Sequence, residues 1–146
     1  MTVVAEILKS KTDGSVHSIA PTATVLQALQ TMAALHIGAL LVMEDGKIVG
    51  ILTERDYARK IALMGRSSLT TLVSDVMTTA VMYVEPSQSS EQCMALMTEN
   101  RLRHLPVVDA GKVLGMISIG DLVKNTISEQ KFIIEQMKHY IAGSAG

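Results

Sequence analysis

Two short segments of the chain each end in a hydroxyl residue that is followed, three positions later, by a carboxylate. The first is GILTERD, with Thr53 and Asp56, and the second is GMISIGD, with Ser118 and Asp121. At the start of a helix, this spacing lets the two side chains cap unpaired backbone N–H groups. The same geometry suits a nucleotide, because the N–H and hydroxyl groups attract phosphate and the carboxylate accepts a ribose diol. The residues alone leave both interpretations open.

The first segment also carries arginines that the second one lacks. Arg55 lies directly before Asp56, and Arg59 follows one helical turn later. A guanidinium there is suited to phosphate oxygens, although a solvated surface arginine is the alternative. Gly120 takes the place of Arg55 in the second segment. The sequence therefore predicts two sites that bind phosphate unequally.

Basic residues precede a strand in the second copy instead. The stretch RLRHLP contains Arg101, Arg103 and His104. We expect these groups to reach a phosphate that is held mainly by the other copy. A surface charge is the alternative for Arg101, and a strand-end histidine bonded to backbone is the alternative for His104.

The two segments belong to an internal duplication with a constant offset of 65 residues. The offset aligns, without a gap, Pro21 with Pro86, Met32 with Met97, Gly46 with Gly111 and Gly50 with Gly115. Chance does not keep proline and glycine in step over such a length. The chain is therefore a tandem repeat of one structural unit.

Each copy predicts the same order of elements: strand, helix, strand, strand, helix. Val16–Ala20 and Val81–Glu85 alternate in polarity like short strands, and helices with N-caps at Thr24 and Ser90 follow them. A β-hairpin with a glycine in its turn comes next, and a second helix closes the copy. The pattern predicts an α/β fold.

The domain boundaries follow from the repeat. Residues 1–64 form the first repeat, 65–72 a polar linker, 73–127 the second repeat, and 128–146 a C-terminal helix and tail. The prefixes VAEILK and VSDVMT resemble each other, which predicts a short lead-in helix before each repeat. One repeat buries little surface by itself, so we expect the two to pack as a pseudo-twofold pair.

The tail carries helical signals of its own. Thr126 and Glu129 are spaced as a capping box, and Gly143 resembles a helix stop. An apolar stripe between these positions covers its own repeat or packs on a second copy; its members are Phe132, Ile133, Met137, Tyr140 and Ile141.

The duplication, the lead-in VSDVMT, the strand RHLPVVD and the Gly-to-Asp segments together resemble a tandem pair of CBS domains, also called a Bateman module. The resemblance implies two β-α-β-β-α repeats that bind an adenosine-containing ligand in clefts between them. Such ligands include AMP, ADP, ATP, NAD(H) and S-adenosylmethionine. It also implies a regulatory role, in which the ligand changes the packing of the repeats or of a homodimer and a separate effector protein responds.

The same resemblance implies an apolar slot that reads adenine mainly through backbone groups. Core packing is the alternative for its apolar members. The candidate residues are Val16, Gly38, Ala39, Leu40, Thr78, Val81, Leu105 and Pro106.

Composition and motifs limit the other function classes. A formal net charge of -1 argues against a nucleic-acid binder. The four histidines lack metal-ligand spacing, the lone Cys93 lies in an amphipathic helix, and no catalytic constellation is present. No apolar run is long enough for a membrane span, so we expect a soluble, cytoplasmic protein without a catalytic cofactor. The alternatives are an enzyme acting on nucleotides and a structural dimer or nucleic-acid binder without nucleotide sensing.

Overall fold

The computed structural model describes residues 2–11 and 13–145. It is a mixed α/β fold with two small sheets and a long C-terminal helix. In chain order the elements are α1 (Val4–Ser10), β1 (Ser18–Ile19), α2 (Val25–Leu35), β2 (Ala39–Glu44), β3 (Lys47–Thr53), α3 (Glu54–Asp56) continued by a π-helical segment (Tyr57–Ala62), α4 (Val73–Val76), α5 (Ser90–Asn100), β4 (His104–Asp109), β5 (Lys112–Ser118) and α6 (Ile119–Ala145).

The chain divides into two compact units that differ from the sequence repeats at their ends. One unit comprises residues 15–82, and the other comprises residues 1–14 together with 83–146. The helix that precedes each repeat in the sequence therefore belongs to the unit built from the other repeat. Val4 and Ile7 of α1 are buried in the core that contains Leu105 and Ile117. Val73 of α4 is buried in the other core.

Both units contain the β-hairpin that the sequence predicts. In the first, β2 pairs antiparallel with β3, and β1 joins β2 in parallel. In the second, β4 pairs antiparallel with β5. The two central turn residues have positive φ in each hairpin, at Asp45 and Gly46 and again at Ala110 and Gly111. This backbone conformation matches the right-handed twist of the flanking strands.

The opening strand predicted for the second repeat is almost absent. Val84 alone makes a parallel bridge, to Val107, in place of the predicted strand Val81–Glu85. The Val81 N–H donates to the Thr79 carbonyl at 3.0 Å, which turns the backbone away from an extended course. Alternating polarity does not detect such a turn, so this prediction was wrong for all but one residue.

The helix caps agree with the sequence prediction at Thr24 and differ from it by one residue at α5. Thr24 accepts the Gln27 N–H and forms a capping box. For α5 the cap is Ser89, whose Oγ accepts the Gln92 N–H at 3.2 Å, and the predicted cap Ser90 is the first helical residue. Gln92 stands three residues after Ser89 and returns a hydrogen bond to its N–H, which fixes the helix start there.

Helix α6 is continuous, which overturns two predictions about the tail. Thr126 does not cap a new helix, because its hydroxyl donates to the Leu122 carbonyl at 3.0 Å within α6. Gly143 does not stop the helix, which runs on to Ala145. Glu129 accepts hydrogen bonds from Thr2 and Asn125 instead of completing a capping box with Thr126. Among the described residues, no helix is both long and apolar enough to cross a bilayer.

Candidate functional site

The first hydroxyl–carboxylate pair forms a reciprocal cap where β3 meets α3. Thr53 is extended, and its Oγ1 accepts the Asp56 N–H at 3.2 Å. In return, Asp56 Oδ2 accepts from the Thr53 N–H at 3.0 Å and from the Thr53 hydroxyl at 3.1 Å. The capping geometry that the spacing predicts is therefore present. It holds the Asp56 carboxylate in one position at the end of the strand.

The other carboxylate oxygen of Asp56 is also occupied. Oδ1 accepts from the Thr78 hydroxyl at 3.0 Å and lies 3.1 Å from the Lys60 ammonium. Lys60 also donates to the Val76 carbonyl at 2.8 Å. Asp56 is only 8 % exposed, and these partners together satisfy the acceptor capacity of a carboxylate. Burial of the charge is therefore compensated by hydrogen bonds and an ion pair.

The second pair repeats the cap where β5 meets α6. Asp121 Oδ2 accepts from the Ser118 N–H at 2.8 Å, and Ser118 Oγ accepts from the Asp121 N–H at 3.2 Å. A lysine again neutralises the carboxylate, but it comes from the segment after α1: Lys11 Nζ lies 3.1 Å from Asp121 Oδ2. Lys11 also donates to the Met116 carbonyl at 2.7 Å. Both caps thus hold a carboxylate and a lysine anchored on a carbonyl.

The two carboxylates differ in which oxygen holds the lysine and in their exposure. The Lys60 ammonium lies on Asp56 Oδ1, and the Thr53 N–H and hydroxyl lie on Oδ2. The Ser118 N–H and the Lys11 ammonium both lie on Asp121 Oδ2. The Asp121 side chain is also more exposed, at 18 % against 10 % for Asp56. The second carboxylate is therefore the more exposed of the two.

Lys11 and Lys60 were not singled out from the sequence. Lys60 stands four residues after Asp56, the spacing of a helical ion pair, and that signal could have found it. Asn125 takes its place in the second copy, so the duplication does not reveal a second lysine. Lys11 comes from outside the aligned segment, and only the fold brings it to Asp121.

The predicted phosphate-binding residues lie mostly on the surface. Arg55 and Arg59 are exposed on α3 and on the π-helical segment that follows it. Arg101 is the left-handed C-cap of α5, and Arg103 is exposed beside β4. His104 is partly buried and stands opposite Ser118 in the β4–β5 register, which brings it close to the second cap. Phosphate binding by these residues remains a prediction.

Several residues of the predicted adenine slot are buried, and others lie nearer the surface or form backbone hydrogen bonds to a neighbouring segment. Leu40 and Leu105 are fully buried in the two cores, so only their backbone groups are available to a ligand. Ala39 and Pro106 are buried as well. Thr78 exchanges two backbone hydrogen bonds of 2.9 Å with Ile51, beside its side-chain bond to Asp56.

The remaining slot residues are Gly38, Val81 and Val16. The Gly38 carbonyl accepts the Glu54 N–H at 3.1 Å. Val81 is partly buried and Val16 is exposed. A separate depression of about 560 Å³ lies on the outer face of α2 and contains none of the predicted site residues; it is lined by Ile19, Ala20, Ala23, Gln27, Gln30, Thr31 and Ala34.

The lone cysteine has the environment of a structural residue. Cys93 is buried within the core that contains α5, and burial raises the pKa of its thiol. A raised pKa lowers the thiolate fraction and with it the reactivity of the sulfur. Over the described part of the chain, no cluster of three or more His, Cys, Asp or Glu side chains is arranged to hold a metal ion.

Comparison with known proteins places the sequence in one family. The family described as "CBS domain" matches residues 4–63 and again residues 73–127. The CBS domain-containing protein CBSX3 of Arabidopsis thaliana, described as mitochondrial, is 39% identical over 97% of this chain and 73% of its own length.

Solved structures give the same result. A putative signal-transduction protein with CBS domains from Burkholderia ambifaria is 55% identical, with a TM-score of 0.86 over 88% of this chain and 96% of its own. The CBS domain pair of protein MJ0100, solved with 5-methylthioadenosine and S-adenosyl-L-methionine, shares the fold at 24% identity, with a TM-score of 0.73 over 88% of this chain and 98% of its own. The chain therefore belongs to the CBS domain family and carries two CBS domains.

Proposed function

We propose that this chain is a regulatory module that binds an adenosine-containing ligand at the Thr53–Asp56 and Ser118–Asp121 caps. The observation that carries the proposal is the duplicated cap, in which reciprocal hydrogen bonds hold each carboxylate at a strand end. A fixed carboxylate accepts both hydroxyls of a ribose diol. The complex of the MJ0100 domain pair with two adenosine compounds adds support from a protein of the same fold.

The two sites are expected to engage ribose differently. At the second site, a ribose diol that engages both carboxylate oxygens must take the place of the Lys11 ammonium on Asp121 Oδ2. At the first site, a ribose must take the place of the Thr78 hydroxyl or the Lys60 ammonium on Asp56 Oδ1. Arg55 and Arg59 then favour a ligand with phosphate at the first site, because a guanidinium binds phosphate oxygens in pairs. Arg101, Arg103 and His104 are further candidates for contact with a phosphate.

A thermal-shift panel tests the proposal and chooses among AMP, ADP, ATP, NAD, NADH and S-adenosylmethionine. A ligand that binds the folded chain raises the unfolding midpoint by mass action. The Asp56→Asn and Asp121→Asn variants keep an oxygen for the cap but lose the second carboxylate oxygen. We expect each variant to show a smaller midpoint shift than the wild type. Equal shifts in all three proteins would refute the assignment of the two aspartates.

We further propose that the ligand acts by changing how the repeats or dimer halves pack, and that a separate effector protein responds. The module has no catalytic role in this account. Nucleotide hydrolysis that is lost on Asp56→Asn would favour the enzyme alternative. Salt-sensitive RNA binding without any nucleotide-induced thermal shift would favour the nucleic-acid alternative. A cytoplasmic location also belongs to the proposal, supported by the reduced, buried Cys93, and cell fractionation tests it.

We propose that the dimer forms through the C-terminal part of α6. From residue 130 to residue 143 this helix is exposed all round, including Ile134, Met137 and Ile141. An apolar face of this length is typical of a protein–protein contact. The alternative in which the stripe covers its own repeat does not agree with this exposure.

The spacing of the apolar residues indicates a second copy of α6 as the partner. Ile127, Ile134 and Ile141 recur every seven residues, and Met137 follows Ile134 by three. Branched residues at one position of a heptad favour a parallel two-stranded coiled coil. Gln130 falls on the same stripe. A parallel, in-register pair sets Gln130 against its own copy, where the two amides bond to each other instead of being buried unpaired.

A further inference from the structure

Each candidate ribose-binding carboxylate forms an ion pair with a lysine, and the same lysine also donates a hydrogen bond to a backbone carbonyl. Lys60 bridges Asp56 Oδ1 at 3.1 Å and the Val76 carbonyl at 2.8 Å. Lys11 bridges Asp121 Oδ2 at 3.1 Å and the Met116 carbonyl at 2.7 Å. The two lysines come from unrelated positions in the duplicated sequence, yet each completes the same arrangement. A role in the cap alone does not require this, because the caps are complete without a cation.

The carbonyl anchor determines what happens to the ammonium when the carboxylate changes partner. An ammonium has three N–H donors, and both lysines use one on the carboxylate and one on the carbonyl. If a ribose diol takes over the carboxylate, the carbonyl still holds the ammonium beside the ligand. The donor that becomes free then has a new acceptor available in a phosphate on the same ribose. The four-carbon stem of lysine allows this short movement.

We propose that Lys60 and Lys11 determine the ligand class of the two sites, by making each site selective for a phosphorylated nucleotide over the neutral nucleoside. The inference rests on the proposed function, because it concerns ligands at the same caps. A nucleoside displaces the ammonium from its carboxylate and offers it no new anion. A nucleotide offers a phosphate in exchange. Without the lysine, the carboxylate charge is left uncompensated and repels the phosphate.

The experiment is a comparison of AMP with adenosine by isothermal titration calorimetry. Lys60→Met is measured in an Asp121→Asn background, which isolates the first site, and Lys11→Met is measured in an Asp56→Asn background. Methionine keeps the length and apolar stem of the side chain and removes its charge. The matched controls are Lys47→Met and Lys9→Met, which remove exposed lysines elsewhere on the same two units. Lys60→Arg and Lys11→Arg keep the positive charge.

We expect AMP to bind each isolated site about tenfold or more tightly than adenosine, equivalent to about 1.4 kcal/mol. In Lys60→Met and Lys11→Met, the affinity for AMP falls until this preference is lost, while the affinity for adenosine is unchanged or rises because the carboxylate is released. The arginine variants keep most of the preference, and the control lysines keep all of it. A loss of affinity for AMP without a loss for adenosine distinguishes this role from a structural one, which would weaken both together.

Two results overturn the inference, and they are distinguishable from failure of the proposed function. One is an unchanged ratio of AMP to adenosine affinity in both methionine variants. The other is equal binding of AMP and adenosine by the isolated sites before any lysine is changed. If the wild type binds neither compound nor any other adenosine ligand, the proposed function itself fails and this inference fails with it.

Discussion

Lys11 and Asp121 form an ion pair of 3.1 Å between the segment after α1 and the first turn of α6. The pair joins the start of the chain to the second repeat, over a sequence separation of 110 residues. Together with the burial of Val4 and Ile7, it makes the N-terminal segment a structural part of the unit that contains β4 and β5. The N-terminal segment therefore contributes to stability and to the second candidate site at once.

Replacing Lys11 with methionine is expected to destabilise this unit modestly. The side chains of Lys11 and Asp121 are 27% and 18% exposed, so the pair is only partly screened by water. A loss of up to about 1 kcal/mol in the free energy of unfolding is expected, as for other partly exposed pairs. Urea unfolding measures it, with Lys9→Met as the control because Lys9 is exposed. A larger loss in the control than in Lys11→Met would contradict the assignment.

The glycines of the two hairpins should differ in their tolerance of a methyl group. A Cβ at Gly50 would lie 2.6 Å from Met77 Sδ and 3.0 Å from the Thr78 carbonyl oxygen. A Cβ at Gly115 would meet only the tip of Leu8, also at 3.0 Å. Because a backbone oxygen yields less than a leucine methyl, Gly50→Ala should cost about 1–3 kcal/mol of stability and Gly115→Ala less.

The control for both glycine variants is Gly14→Ala, since a Cβ there would meet nothing within 4 Å. Thermal unfolding followed by circular dichroism gives the order of the three midpoints. Equal midpoints for Gly50→Ala and Gly115→Ala would contradict the tighter backbone contact at Gly50.

The start of α5 gives a test of a single hydroxyl. Ser89→Ala removes the oxygen that accepts the Gln92 N–H, and loss of such a cap costs about 1 kcal/mol. Ser90→Ala is the matched control, because the Ser90 hydroxyl has only a 3.4 Å contact with Glu91. Denaturant unfolding should therefore rank Ser89→Ala as the less stable variant. The reverse order would move the cap back to Ser90.

Cysteine cross-linking tests the pairing of α6. Ile134→Cys places a thiol on the proposed parallel seam, and Gln136→Cys places one on the opposite side of the helix. The native Cys93 is buried and does not compete. Under mild oxidation, Ile134→Cys should form a covalent dimer and Gln136→Cys should not. A wild-type chain that is monomeric in sedimentation equilibrium, or that binds lipid vesicles through α6 instead, would contradict the dimer.

Local sequence signals, present in both copies of the repeat, explain why much of the fold could be predicted. Both hairpins and the Thr24 cap follow from local signals: glycine in a turn, and a hydroxyl three residues before a glutamine. The same signal would have identified Ser89, since Gln92 stands three residues after it. Tail predictions failed because Thr126 and Gly143 lie inside a helix whose continuity no local residue reveals.

Lys11 shows what local patterns cannot supply at the candidate site. Its partner Asp121 is distant in sequence, and the repeat offset gives no counterpart for either lysine. The fold alone assembles the carboxylate, the ammonium and the Met116 carbonyl into one cluster. The roles of Thr53, Asp56, Ser118 and Asp121 as caps were predictable from spacing, and their role toward a ligand stays a prediction.

The most direct measurement of the central claim is the stoichiometry of AMP binding by isothermal titration calorimetry. The wild type, Asp56→Asn, Asp121→Asn and the double variant are compared, with circular dichroism to establish that each is folded. We predict two sites in the wild type, one in each single variant and none in the double variant. Binding of AMP by the folded double variant with wild-type stoichiometry and affinity would contradict the claim that these two carboxylates hold the ligand.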